Sequence, residues 1–93
     1  MSREEIKAKV VAETLKFCKT KQRDLKDDAN LELDLGIDSL NRVELASNLF
    51  DVFQLEDAPV EEVVHLMTIG QIVDFIERLL KKREGKEKQH GRQ

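Results

Sequence analysis

Apolar side chains recur at spacings of three and four through Ile6, Val10, Val11, Leu15 and Phe17, with Thr14 among them, which predicts an amphipathic helix. Ser2 followed by Glu5 has capping-box spacing, so the helix starts there and is expected to run through about Lys19. From Thr20 to Asp38 no period is sustained, although Leu25, Leu31, Leu33 and Leu35 stand as isolated apolar anchors. That pattern predicts a long ordered loop, a type often functional in compact domains. A second helix opens at Asp38-Ser39, with Asp38 as N-cap and Leu40, Val43, Leu45, Ala46, Leu49, Phe50 and Phe53 at helical spacing after it. Gln54 to Ala58 is a short connection. Pro59 suits the first position of a short third helix carrying Val60, Val63, Val64 and Leu66.

Thr68 and Gln71 form a second candidate capping box, ahead of Ile69, Ile72, Phe75, Ile76, Leu79 and Leu80 in the clearest helix of the set. Beyond Leu80 the chain is polar and is expected to fray from about Gly85. The expectation is an all-α protein: a four-helix bundle with a long loop between helices 1 and 2 and a short third helix. One domain spans 1–84, and 85–93 form a polar, disordered tail.

Composition narrows this reading. A chain of 93 residues supports one modest core. Four Phe, no Tyr and no Trp leave that core to Leu, Ile and Val. Cys18 is the single cysteine, which excludes an internal disulfide and a multi-cysteine zinc site and reads as a packing residue. The charged N-terminus lacks the apolar run of a signal peptide, and no stretch has the length of a membrane span. A cytoplasmic monomer is the expectation.

The net charge of −3 conceals a segregation: residues 1–22 carry +3, residues 23–62 carry −9 and residues 63–93 carry +3. An acidic middle argues against nucleic acid, which needs a clustered basic face, and suits docking onto basic protein surfaces.

The candidate chemistry lies in Asp34-Leu35-Gly36-Ile37-Asp38-Ser39-Leu40. A hydroxyl at a helix entrance is presented to solvent, and the helix N-terminus behind it favours an anion. A glycine three residues earlier supplies a backbone conformation or a close approach that a side chain would block. Neither His65 nor His90 lies near Ser39 in sequence, and no Ser-His-Asp set is apparent.

This segment resembles the phosphopantetheine-attachment motif of acyl carrier proteins, Asp-Leu-Gly, any residue, Asp-Ser-Leu. Ala29-Asn30-Leu31 before it, Val43-Glu44-Leu45 after it and Met67-Thr68-Ile69 further on resemble the same family over roughly residues 3–80. The resemblance implies a 4′-phosphopantetheine arm from coenzyme A on Ser39, with Asp34, Leu35, Gly36, Asp38 and Leu40 as the surrounding motif. A separate phosphopantetheinyl transferase would supply base and magnesium. The carrier is then no enzyme. It holds acyl groups as thioesters for acyl-activating, acyl-transferring and condensing enzymes of fatty acid, lipid or polyketide-type synthesis.

By position in the family, Asp38, Glu44 and Asp51, with Glu61 and Glu62, are the expected acidic partner contacts. Leu45, Leu49, Phe53, Val63, Leu66, Ile69 and Ile72 read as plain core, although the family shelters acyl chains among such residues. The chain departs from the common carrier at Asn41, Arg42 and Phe50 and in its basic tail. Phe50 reads as an apolar docking residue, and together these departures read as a specialised carrier. A peptidyl carrier ranks lower, because Ile37-Asp38 stands where those domains have a second glycine. An unmodified carrier-fold adaptor, binding proteins only, is the alternative.

Overall fold

The structure, a computed structural model, describes residues 2–18, 25–55 and 58–91, with side chains as far as Arg83. Ser2 opens the first helix, α1 (Arg3–Thr14), by the expected box: the Glu5 amide donates to Ser2 Oγ at 3.2 Å and the Ser2 amide to Glu5 Oε1 at 3.4 Å. Ile6, Val10 and Thr14 are its buried face. The helix stops earlier than the apolar spacing predicts. At Thr14 the hydroxyl donates back to the Val10 carbonyl at 2.7 Å, a bond that bends and weakens a helix. Lys16 and Phe17 then donate to carbonyls three residues back, closing the end as a tight turn. Phe17 and Cys18 still pack half-buried against the core, whereas Lys19 lies outside the described residues.

The next helix, α2 (Ser39–Val52), buries Arg42, Leu45, Ala46, Leu49 and Phe50, followed by Phe53. It ends in a Schellman arrangement: the Leu55 amide reaches the Phe50 carbonyl at 2.8 Å and the Gln54 amide the Asp51 carbonyl at 3.2 Å. The left-handed position falls on Gln54 (φ 57°), where glycine is usual. Arg83 covers the same end, its Nη1 donating to the carbonyls of Phe53 (3.0 Å) and Gln54 (2.9 Å), a cation placed at the negative pole of a helix.

Pro59 is the N-cap of α3 (Val60–Val64), one residue outside the helix position expected for it. The last helix, α4 (Ile69–Gly91), begins with the Thr68/Gln71 box, the two reciprocal bonds both 3.2 Å. Its backbone continues past Gly85, where fraying is expected from composition, to Gly91. Lys, Arg, Glu and Gln are all good helix formers, and one glycine costs only about 1 kcal/mol against alanine in an established helix.

Among the described residues there are these four helices and no strand, only an isolated bridge between Asn30 and Thr68. α1 lies along α4 and α2, and α2 packs on α3. Their shared core is aliphatic apart from Phe50, Phe53 and Phe75.

The loop after α1 is stitched to the α3–α4 junction by its backbone. Leu31 donates to the Met67 carbonyl at 2.8 Å, Ile69 to Ala29 at 3.2 Å and Gly70 to Asp27 at 2.8 Å. Leu25, Leu31, Leu35 and Ile37 fill the core beneath it. Leu33 does not anchor the loop as the sequence pattern suggests: it is 82% exposed. Outside, Asp27 takes ion pairs from Lys7 (2.7 Å) and Arg3 (3.4 Å), and Arg3 also pairs with Asp74.

Three outcomes follow from this packing. Gln54→Gly should raise the urea midpoint, by about 1 kcal/mol of stability, because the left-handed residue no longer carries a Cβ. Gly70→Ala should do the reverse. A Cβ there would sit 3.0 Å from Asp27 Cβ and 3.1 Å from its carbonyl oxygen, and the overlap should cost about 1–3 kcal/mol by the same assay. The Asp27 carboxyl is held below the usual aspartate range chiefly by the Lys7 hydrogen bond, against a smaller opposing effect of burial, with Arg3 adding to it. A depressed carboxyl contributes stability above its unfolded pKa and loses it as pH falls through the folded value. Asp27→Asn should therefore be less stable than wild type at neutral pH, and chemical denaturation should find that difference closing as pH falls below the ordinary aspartate range.

Candidate functional site

The segment singled out in the sequence is built as one capped turn leading into α2. The Asn30 side chain accepts the amides of Glu32 (3.0 Å) and Leu33 (2.8 Å), and the Asp34 carboxylate accepts the Asn30 amide at 2.8 Å. Asp34 and Leu35 both donate to the Asn30 carbonyl, and Gly36 donates to that of Glu32. Asn and Asp side chains favour such local bonds to the backbone. Gly36 closes the turn at φ 68°, with nothing within 4 Å of where a Cβ would stand. Of the two explanations for a glycine here, the structure selects backbone conformation and not crowding.

Ile37 then plugs into the core with 0% exposure, and its amide donates to the Leu31 carbonyl at 2.8 Å. Asp38 is extended and caps α2, its Oδ1 accepting the Asn41 amide at 2.8 Å. Ser39 is the first helical residue and is exposed. Its amide and that of Leu40 are first-turn donors, for which a helix has no internal acceptor. The turn brings the expected motif residues together in distinct structural roles: Asp34 as turn acceptor, Leu35 in the core, Gly36 as the left-handed corner, Asp38 as cap. Leu40 is 70% exposed and contributes nothing to the core.

From Ser39 an exposed stripe runs down α2 at steps of four, through Val43, Ser47 and Asp51, with Leu40 and Glu44 beside it. Glu44 and Asp51 therefore face solvent on the side of Ser39, and Glu61 and Glu62 are exposed on α3. Glu62 shares an open groove with Leu66, Phe75, Leu79, Arg78 and Lys82, so two cations oppose its field locally.

Phe50 does not belong to this surface. It is 6% exposed, and its ring lies 6.4 Å from that of Phe75. Helical phase explains the correction, because position 50 follows Leu49 and lies four residues beyond Ala46, inside the buried arc of α2. Leu45, Leu49, Phe53, Val63, Ile69 and Ile72 are buried core as expected, while Leu66 is half-buried at the groove.

Arg42, named in the sequence only as a departure from the common carrier, is a buried residue of this site. It is 8% exposed, and its Nη1 donates to the Ile37 carbonyl at 3.2 Å and approaches Glu32 Oε2 at 3.5 Å. The signal was available: Arg42 precedes Leu45 by three and Ala46 by four, which puts it in the phase of the core. His65 is the exposed C-cap of α3. Among the described residues no group of acidic, histidine or cysteine side chains could hold a metal ion, and no helix is long and apolar enough to cross a membrane.

Comparison with known proteins bears on this geometry. Residues 8–76 match the family model described as the phosphopantetheine attachment site. The chain is 39% identical over 77 residues to the acyl carrier protein of Prochlorococcus marinus, covering 83% of this chain and 95% of that protein. It is 42% identical over 53 residues to the acyl carrier protein of Amoebophilus asiaticus, covering 57% of this chain and 65% of that one. Such proteins are carriers and not catalysts, and their prosthetic group is a covalently bound 4′-phosphopantetheine. A match across most of the chain, on a helical bundle whose long loop ends in the same motif, is sufficient: the chain belongs to the acyl carrier protein family.

Proposed function

We propose that Ser39 is the residue that carries the arm. Acyl groups are held there as thioesters and delivered to enzymes of fatty acid, lipid or polyketide-type synthesis. The observation that carries this reading is an exposed hydroxyl on the first residue of a capped helix, behind a turn anchored on both sides. The residues suit the group: the positive pole of α2 and the first-turn amides of Ser39 and Leu40 would favour a phosphodiester on Ser39 Oγ. Asp38 is the one adjacent carboxylate, and its bond to the Asn41 amide turns it towards the cap.

In the loading step Ser39 Oγ forms a bond to the β-phosphorus of coenzyme A's pyrophosphate. The bridging P–O bond breaks and adenosine 3′,5′-bisphosphate leaves. The serine proton passes to a base on the transferase. When present, the arm supplies a mobile thiol for thioester exchange. This chain's residues fix where that thiol is rooted.

Partners with basic docking surfaces are the fit for Glu44 and Asp51 on the stripe below Ser39, with Asp38, Glu61 and Glu62 flanking. Exposed charges of this kind orient an encounter more than they hold it. Asn41 and the basic C-terminal run still support a specialised carrier, an argument that Phe50 no longer serves. The carrier unit is residues 1–84 with 85–93 as a polar extension, working as a monomer in the cytoplasm.

Incubation with coenzyme A and a broad-specificity phosphopantetheinyl transferase tests the reading. Intact mass should rise by one phosphopantetheine in wild type and not at all in Ser39→Ala, whose circular dichroism should be unchanged. Absence of any gain with several transferases would favour an unmodified adaptor.

A further inference from the structure

Arg42 is a charge withdrawn from water for which its surroundings return little. Its guanidinium has one sound hydrogen bond, to the Ile37 carbonyl, and one long contact, to Glu32 at 3.5 Å. Glu32 is 58% exposed, so water competes for that carboxylate. Arg42 Nε is buried and meets no acceptor among the described residues. A buried cation so thinly matched is commonly no better for stability than an apolar side chain of similar length, and often worse. Packing does not account for the residue.

Geometry does. The Ile37 carbonyl belongs to the peptide that joins Ile37 to Asp38, the cap from which Ser39 emerges. That peptide is planar, so holding its oxygen fixes the plane and the direction in which the chain enters α2. One side of Ile37 is already pinned, its amide donating to the Leu31 carbonyl at 2.8 Å. Arg42 pins the other side, and the rigid fork of a guanidinium suits it to hold a carbonyl and a carboxylate together. Its Glu32 contact ties the same group to the capped turn that begins at Asn30.

We infer that Arg42 is a positioning residue for arm transfer: it holds the Ile37–Asp38 peptide so that Ser39 is presented to the transferase in a single orientation. This rests on Ser39 being the attachment residue. Arg42 acts through the peptide and not on the reacting atoms. Without it, the entrance to α2 samples several orientations and only a fraction is competent. Apparent affinity falls by that fraction, while turnover from the bound competent form is unchanged.

The test is steady-state transfer from coenzyme A to wild type, Arg42→Met, Arg42→Lys and Glu32→Gln, with thermal unfolding and amide exchange measured on each. Arg42→Met should unfold no earlier than wild type, yet raise KM for the carrier about tenfold with kcat within about twofold, a tenfold loss of competent population. The Ile37 amide should exchange faster in the same variant. Arg42→Lys keeps a donor for the Ile37 carbonyl and should recover most of the loss. Glu32→Gln should change KM less than about threefold, because its contact is long and exposed. Wild-type KM in Arg42→Met would overturn the inference while leaving Ser39 as the attachment residue. A fall in Tm with kcat reduced in step would also overturn it, by making Arg42 a stability residue only. Failure of wild type to gain an arm would remove the carrier reading and this one together.

Discussion

Two backbone amides at the start of α4 organise the molecule. A helix cannot satisfy the N–H groups of its own first turn, and here those of Ile69 and Gly70 are given to the carbonyls of Ala29 and Asp27. With the Leu31 amide returned to Met67, the long loop gains at its middle what a strand gains in a sheet. Each such bond is worth about 1 kcal/mol net, and leaving a buried partner unpaired costs about 1–3 kcal/mol. Once residues 27–31 are fixed, Leu31 and Ile37 have a core to enter, Asp38 has a defined place, and α2 begins where it does. The absence of a side chain at Gly70 eases this close approach, since a Cβ there would stand 3.0 Å from Asp27 Cβ and 3.1 Å from its carbonyl oxygen.

Charge is distributed so that the scaffold and the face proposed for docking make separate demands. The cations of the scaffold are committed to fixed partners: Arg83 to the carbonyl end of α2, Arg3 and Lys7 to Asp27, Arg42 to the Ile37 carbonyl. The carboxylates of Glu44 and Asp51 lie on an exposed face with no ion pair among the described residues. Negative potential on that stripe is thus uncompensated by close cations, which is what long-range steering of a basic partner requires. On α3 the same argument is weaker, because Arg78 and Lys82 flank Glu62 across the groove.

Features set by neighbours in sequence were legible without coordinates. Both capping boxes, the Asp38 cap, the four-helix order and the turn ending in Gly36 follow from rules that act over three or four residues. What was not legible depended on a distant partner or on helical phase overruled by expectation about residue type. Leu33 looks like an anchor beside Leu31 and Leu35, but the Asn30 turn rotates it out to 82% exposure. Phe50 was read by analogy as surface, yet it occupies a core phase of α2, as Arg42 does. Ile37 sits at a motif position that admits any residue, and its burial appears only when the loop is closed over α4. The early end of α1 coincides with a threonine hydroxyl bonding back to the Val10 carbonyl, a feature that apolar periodicity does not register.

A carrier sets two requirements that pull apart: a tether free enough to reach several active sites and a root that each partner finds in the same place. Freedom in the tether carries an ordering cost at every encounter, and a mobile root would add to it. With Ser39 as the proposed root, the structure makes that root stiff. Ser39 is flanked by a buried isoleucine two residues earlier and a buried arginine three residues later, and the turn before it is held by side-chain caps as well as backbone bonds. Exposure of the hydroxyl is therefore not looseness. It is the projection of one polar atom from a segment in which nearly every other group is engaged, and the length of the loop is what allows those engagements to be made.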